Sequence, residues 1–405
     1  MWRFQSFHER GETEYLDQVI ERVRADERFY KRAEAMLSGA SEAEPLIADS
    51  LRTPQDIRYH AEGPFVHDHL RYMLMGLYAI VDEKVHLIDI EEFRRMKGYE
   101  GEIEELEEII KENAALFEVF TLCHDVAKWA TVRFVSREHS RGKEKGFHMN
   151  KDAYVHASQA ERAKLRTRYL ELYQEFEQDH PGHSARELQR EFFLTYEIEA
   201  HYPHHARQIH APVYESLLDR FVVAHELPSR DQDLLGDLIG HHMEFNKDFL
   251  EVRPERIRRY SHLAQARGWD ADDFMDLIQG CILLDMVFGS TRLSAHGYWH
   301  DASPLTNILQ SEHQYAPIRR VEKMKDRELQ EKQSRNNVFR EVGLDGVALM
   351  ELLGTEPGPK FGKELRRIHS GILGRGDMPK FGKTIDHEIE KRALAYYKKT
   401  FVAGE

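Results

Sequence analysis

A chain of 405 residues with 41% hydrophobic and 32% charged residues is globular, and 25 Gly with 13 Pro exclude collagen-like or linker-like sequence. Its formal net charge of −14 argues against a protein that simply coats nucleic acid or an anionic membrane. The two cysteines, Cys123 and Cys281, are not in a CxxC and provide neither a disulfide framework nor a thiolate zinc site, so any metal must be held by carboxylates and the 24 histidines.

The opening residues lack the apolar stretch of a signal peptide, and the least polar run, Met73 to Val81, is about half the 18 or more residues a membrane span needs. A cytoplasmic protein without membrane partners is expected. Leu16, Val19, Ile20 and Val23 form the stripe of an amphipathic helix, as do Leu70, Met73, Leu74, Leu77 and Val81. Residues 91–112 look like a solvated acidic helix with a docking stripe at Ile103, Leu106, Ile109 and Ile110. A short strand is expected over Val132 to Val135, but no series of alternating apolar runs follows, so the fold class is all-α. The polar stretch at about 136–200, with a helix ending near Asp179 to Gly182, is taken as a helical insertion.

Residues 319–405 carry 19 Lys and Arg against 14 Asp and Glu, net +5, which leaves net −19 on residues 1–318. This contrast divides the chain into an N-terminal helical segment (1–58), a central domain (59–318) and a basic helical appendage (319–405). The appendage repeats Pro-Lys-Phe-Gly-Lys at 359–363 and 379–383, too few copies for a solenoid. Gly376 to Thr384 fails the phosphate-loop spacing, and no strand precedes it.

The residues that carry chemistry are spread along the chain: His69, the adjacent His124 and Asp125, His210, the adjacent His241 and His242, and Asp285. Asp285, flanked by Ile282, Leu283, Leu284, Met286 and Val287, would cost several kcal/mol to bury unpaired and must find a cation, a donor or a metal. Histidines and aspartates converging from several helices are a standard means of holding two metal ions. Lys128 lies four residues after His124 and three after Asp125, within reach of a metal-bound anion. No HExxH and no PCxxC occurs, which disfavours zincin and deaminase chemistry.

In its ordered set of His, His-Asp, His, His and Asp, the chain resembles the HD superfamily of metal-dependent phosphohydrolases over roughly Tyr59 to Arg292. His60 to Gly63 looks like the HxEG opening of HD domains in tRNA nucleotidyltransferases and marks His69, not His67, as the first ligand. His210 to Met243 is similar to their third-to-fourth histidine stretch. The tail, from Leu344 to Leu365, looks like the closing segment of those enzymes and of poly(A) polymerases, but no nucleotidyltransferase head precedes it. No Gly-Tyr-Pro follows His241 to Phe245, unlike the cyclic-dinucleotide branch.

The resemblance implies an HD-type helical bundle in which His69, His124, Asp125 and Asp285 hold one ion. By the same resemblance, Asp125 would bridge to a second ion held by His210 and His241, with His242 as an alternative or supplement to His241. The long spacing from Asp125 leaves His156, His180, His201, His204 and His205 as competitors of His210, and His205 and Arg292 are otherwise expected on the substrate side. Two divalent ions (Mn, Fe, Co, Ni or Zn) would then activate a water for attack on phosphorus, with Asp125 and Lys128 as catalytic residues. The expected function is a phosphomonoesterase or 2′,3′-cyclic phosphodiesterase acting on nucleotides or RNA ends. The alternative is an HD-fold mixed-valence di-iron oxygenase, which shares the six-ligand pattern.

Overall fold

The computed structural model describes residues 16–147, 158–249, 254–294 and 297–310. The chain divides into two compact units, Met1–His313 and Gln314–Glu405, and every described residue belongs to the first. The motifs of the basic tail and His156 therefore lie outside the described residues.

Helices dominate, as expected for an all-α fold. In chain order they are α1 (Gln18–Arg24), α2 (Glu27–Ala43), α3 (Pro45–Leu51), α4 (Val66–Val81), α5 (Glu91–Arg94), α6 (Glu100–Glu112), α7 (Ala114–Cys123), α8 (Lys128–Thr131), α9 (Arg141–Glu144), α10 (Gln159–Asp179), α11 (Ala185–Tyr196), α12 (Pro212–Ala224), α13 (Asp231–Asp248), α14 (Pro254–Arg267) and α15 (Ala271–Ile282). The α15 helix runs directly into a π-helical segment, Leu283–Gly289.

The starts of these helices follow from local chemistry. Asp17 caps α1 by accepting from the Val19 and Ile20 amides, and Ser158 with Glu161 and Ser184 with Glu187 form reciprocal capping boxes on α10 and α11. In the acidic α6, Ile103, Leu106 and Ile110 face the core. Glu107 is buried with them, and its carboxylate accepts from the Leu87 amide and pairs with Lys111.

The central helix is α4, apolar on nearly all sides, with Leu70, Met73, Leu74, Leu77 and Ile80 fully buried. Each such side chain contributes about 1.5–3 kcal/mol relative to exposure. It packs against α1, α2, α6, α7 and the π-helical segment. The last contact is close because Gly289 has no side chain: a Cβ there would stand 2.5 Å from Met73 Cγ and 2.8 Å from His69 Cε1. Gly289→Val is therefore expected to cost about 1–3 kcal/mol through overpacking. It should also displace the His69 ring, and thermal denaturation together with the His69 NMR shift checks both effects.

The expected strand is present one residue later, at Arg133–Ser136 (β1). It pairs antiparallel with β2 (Ile198–His201), which sequence reasoning missed, with Phe134 opposite Ala200. A second small ribbon, β3 (Arg292–Ser294) with β4 (Gly297–Trp299), was also missed. An aromatic core of Phe134, Phe147, Tyr169, Tyr173, Phe176, Phe192 and Tyr196 joins the β1–β2 ribbon to α10 and α11. Cys123 and Cys281 are buried and free, and burial pushes both thiols up, as fits packing groups.

Candidate metal centre

His69 lies on the core face of α4, whereas His67 is half-buried and pairs with Glu34. His124 and Asp125 do not share a regular helix. His124 is the C-cap of α7, and Asp125 lies in the turn that joins α7 to α8, so the chain bends and both side chains reach inward. Asp285 sits in the π-helical segment, a local widening that recurs at functional sites. Lys128, at the first position of α8, is buried with its Nζ 2.6 Å from Asp125 Oδ2 and 5.0 Å from the centre of the Tyr202 ring.

Two expected ligands do not join this cluster. His210 ends a 3₁₀ turn (Ala206–His210), is exposed, and rests its ring on α13, where a Cβ on Gly240 would stand 2.7 Å from its Nε2. His205 reaches the centre instead. It follows His204, whose left-handed backbone (φ 58°) is unusual for a non-glycine residue and turns the chain inward. On α13, His242 faces the interior, while His241 bonds back to the Asp237 carbonyl and lies against the Phe245 and Tyr260 rings. Arg292 stands outside the cluster at the start of β3, against Met286, Asp301 and the exposed Tyr59 ring.

The inward groups meet around Asp125. On one side, His69 Nε2 is 3.3 Å from both His124 Nε2 and Asp285 Oδ1, and His124 Nε2 is 3.4 Å from Asp125 Oδ2. On the other side, Asp125 Oδ1 is 3.2 Å from His205 Nε2 and 3.8 Å from His242 Nε2. Nitrogens and oxygens bound about 2.0–2.2 Å from one ion stand roughly 3 Å or slightly more from each other, which is the spacing found here.

The outer ring nitrogens are held by neighbours. Nδ1 of His124 lies 3.0 Å from the Thr121 carbonyl, that of His205 3.0 Å from the Tyr202 carbonyl, and that of His242 2.7 Å from the Ile239 carbonyl. A proton at each Nδ1 leaves the Nε2 lone pair pointing inward, the tautomer a metal ligand requires. His69 Nδ1 faces the fully buried Glu62 at 3.4 Å. Glu62 in turn bonds His60 Nδ1, Gln55 Nε2 and the Thr291 amide. Asp285 is oriented by Asn246, which donates to Oδ2 at 2.9 Å.

The electrostatics favour a cation. Burial pushes the Asp125 carboxyl up, but His124 and Lys128 outweigh it and hold the group well below the usual carboxylate range. Asp285 is likewise lowered, with His69 overcoming burial. Burial, above all, pulls His242 down to about 3, leaving it neutral. Burial acts against protonation of His69 too, yet Asp285 and Glu62 hold it at about 10. A pocket that draws a proton between two carboxylates this strongly also draws a metal ion.

Both Asp125 oxygens and His205 Nε2 are buried without a hydrogen bond of proper geometry, although Lys128 lies close to Oδ2 as a charge partner. Such atoms are costly unless an ion or other ligand satisfies them. Three overlapping groups have the donor spacing of a metal site: His69 with His124 and Asp125, Asp125 with His205 and His242, and His60 with Glu62 and His69. We read the third as support for His69 rather than a further site, because His69 Nε2 already points at Asp285 and His124. This cluster can hold a metal ion. Among the described residues no helix is long and apolar enough to cross a membrane. In comparisons with protein-family models, curated proteins and solved structures, none matches the chain.

His205→Ala is expected to lower the metal content, while His210→Ala leaves it unchanged. Elemental analysis of the two variants checks the assignment, and the reverse pattern would contradict it.

Proposed function

We propose that the cluster is a two-metal hydrolytic centre for phosphate esters in an HD-type helical domain. The observation that carries this reading is the position of Asp125, whose two oxygens face different ligand sets: Oδ2 faces His124 and Oδ1 faces His205 and His242. A carboxylate so placed could serve two ions, one on each side. His69, His124, Asp125 and Asp285 would hold the first, and Asp125, His205 and His242 the second. Bound there, divalent ions supply Lewis acidity and lower the pKa of water toward neutrality, the two needs of phosphoester hydrolysis.

The protein's own groups do the rest. The carbonyls of Thr121, Tyr202 and Ile239 fix the ring orientations of His124, His205 and His242. Lys128 keeps a buried positive charge beside Asp125, where developing negative charge on a phosphoryl group is stabilised. Near-complete burial of these side chains excludes bulk water and strengthens each electrostatic interaction. Imidazole and carboxylate donors without thiolates suit Mn, Fe, Co, Ni or Zn.

For substrate, we favour a phosphomonoester or 2′,3′-cyclic phosphate on a nucleotide or RNA end, supported by the likeness of the tail to RNA-processing enzymes. A panel of such esters assayed across these metals tests the reading. Metal-dependent hydrolysis is the expected result; a mixed-valence iron signal under air with no ester hydrolysis would overturn it in favour of oxygenase chemistry.

A further inference from the structure

We propose that Arg24, on the N-terminal helix α1, is a positioning residue for the first metal site: its guanidinium holds the π-helical segment in the winding that aims Asp285 at His69. The effect on metal rests on the two-metal reading above; the effect on the two side chains does not.

The need for such a residue is local. At Ser290 the backbone becomes extended (φ −102°, ψ 148°), so no further helical amide follows to satisfy the last carbonyls of Leu283–Gly289. Phe288, Gly289, Ser290 and Thr291 are all buried, which denies those carbonyls water. Arg24 supplies the donors. Its Nη2 donates to the Phe288 carbonyl at 2.6 Å and to the Ser290 carbonyl at 3.3 Å, and its Nη1 to Thr291 Oγ1 at 2.7 Å. One planar fork thus grips three neighbouring residues, a geometry that an ammonium group does not reproduce. Glu21 at 3.3 Å and the Tyr72 ring, whose centre lies 4.4 Å from the guanidinium carbon, hold the fork itself.

Two lines of contact lead from the fork to ligands of the same ion. Ser290 Oγ donates back to the Asp285 carbonyl at 2.8 Å, so the grip on Ser290 fixes the backbone that carries Asp285. The Thr291 amide donates to Glu62 at 2.8 Å, and Glu62 faces His69 Nδ1. His205 and His242 are oriented by other groups, the Tyr202 and Ile239 carbonyls. A π-helical stretch is a rare conformation. Without the fork it would relax toward α-helical winding and rotate Asp285 away from His69.

The test is calorimetric titration of the metal-stripped full chain with Mn²⁺, together with NMR of the histidine rings before metal is added. Arg24→Met keeps much of the bulk and removes every donor. One Mn²⁺ is expected to bind about 10–100-fold more weakly than in the parent and the other with unchanged affinity, and Arg24→Lys to recover part of the loss. In the metal-free protein the His69 resonances should move in Arg24→Met while those of His242 stay. Circular dichroism verifies the fold. Thr291→Val, which removes one of the hydrogen bonds and keeps the side-chain shape, is the milder second variant and should show the same pattern on a smaller scale. Unmoved His69 resonances in the folded variants, or equal weakening of both ions, would overturn the proposal. If the parent takes up no Mn²⁺ the two-metal reading fails by itself, and the His69 resonances still decide whether Arg24 positions the segment.

Discussion

On the proposed function, Asp125→Asn is expected to abolish phosphoester hydrolysis while the protein stays folded. The amide retains the shape of the side chain but has one acceptor oxygen, and its NH₂ group turns a donor toward one of the two ligand sets. The charged carboxylate that faces His124 on one side and His205 and His242 on the other is lost, and Lys128 faces a neutral group. Losing several kcal/mol of transition-state charge stabilisation corresponds to a rate drop of about a thousandfold or more. Steady-state kinetics at saturating metal, with far-UV circular dichroism as the control, measure this. A variant that keeps turnover within about tenfold of the parent would remove the catalytic role of the bridge.

Glu62→Leu is expected to have the largest effect on stability, about 3–5 kcal/mol. The carboxylate is completely buried and serves Gln55, His60, His69 and the Thr291 amide at once, so its removal strands several donors in the interior. Those bonds also tie the chain before α4 to the chain after the π-helical segment, so both ends of the cluster loosen together. Burial pushes the Glu62 carboxyl up, but His60 and His69 overcome this and hold it below its ordinary value. A group lowered in this way stabilises the fold above the ordinary carboxylate pKa and loses that contribution as pH falls below it. Urea denaturation at neutral pH measures the cost. Glu62→Gln, which keeps an acceptor oxygen, is expected to fold and to bind metal about 10–100-fold more weakly. Equal metal affinity in Glu62→Gln and the parent would show that Glu62 does not orient His69.

Much of this site was legible in the sequence because helices announce their inner face. His69 falls on the stripe of Leu70, Met73, Leu74 and Leu77, and Asp285 within an apolar run that demanded a partner. The choice between His241 and His242 was also readable: His242 continues the buried series Leu235, Leu238, Ile239 and Phe245 at helical spacing, and His241 does not. His205 was harder. It lies in an irregular turn where no periodicity distinguishes it from His201, His204 or His210, and only the left-handed residue before it aims it inward. Glu62 gave a motif without a role, since its partners at Gln55 and Thr291 are far apart in the chain. The β1–β2 ribbon was half legible for a similar reason. Strand β2 is short and ends on the polar His201, and its pairing with β1 reaches across α9, α10 and α11 in the chain.

The central claim is that Asp125 bridges two metal ions. Elemental analysis of the full chain, purified in the presence of manganese or iron and dialysed, tests it most directly. About two ions per chain are expected in the parent protein, with most of that metal lost in Asp125→Asn. A parent protein without bound metal, or an Asp125→Asn variant with its metal content unchanged, would contradict it.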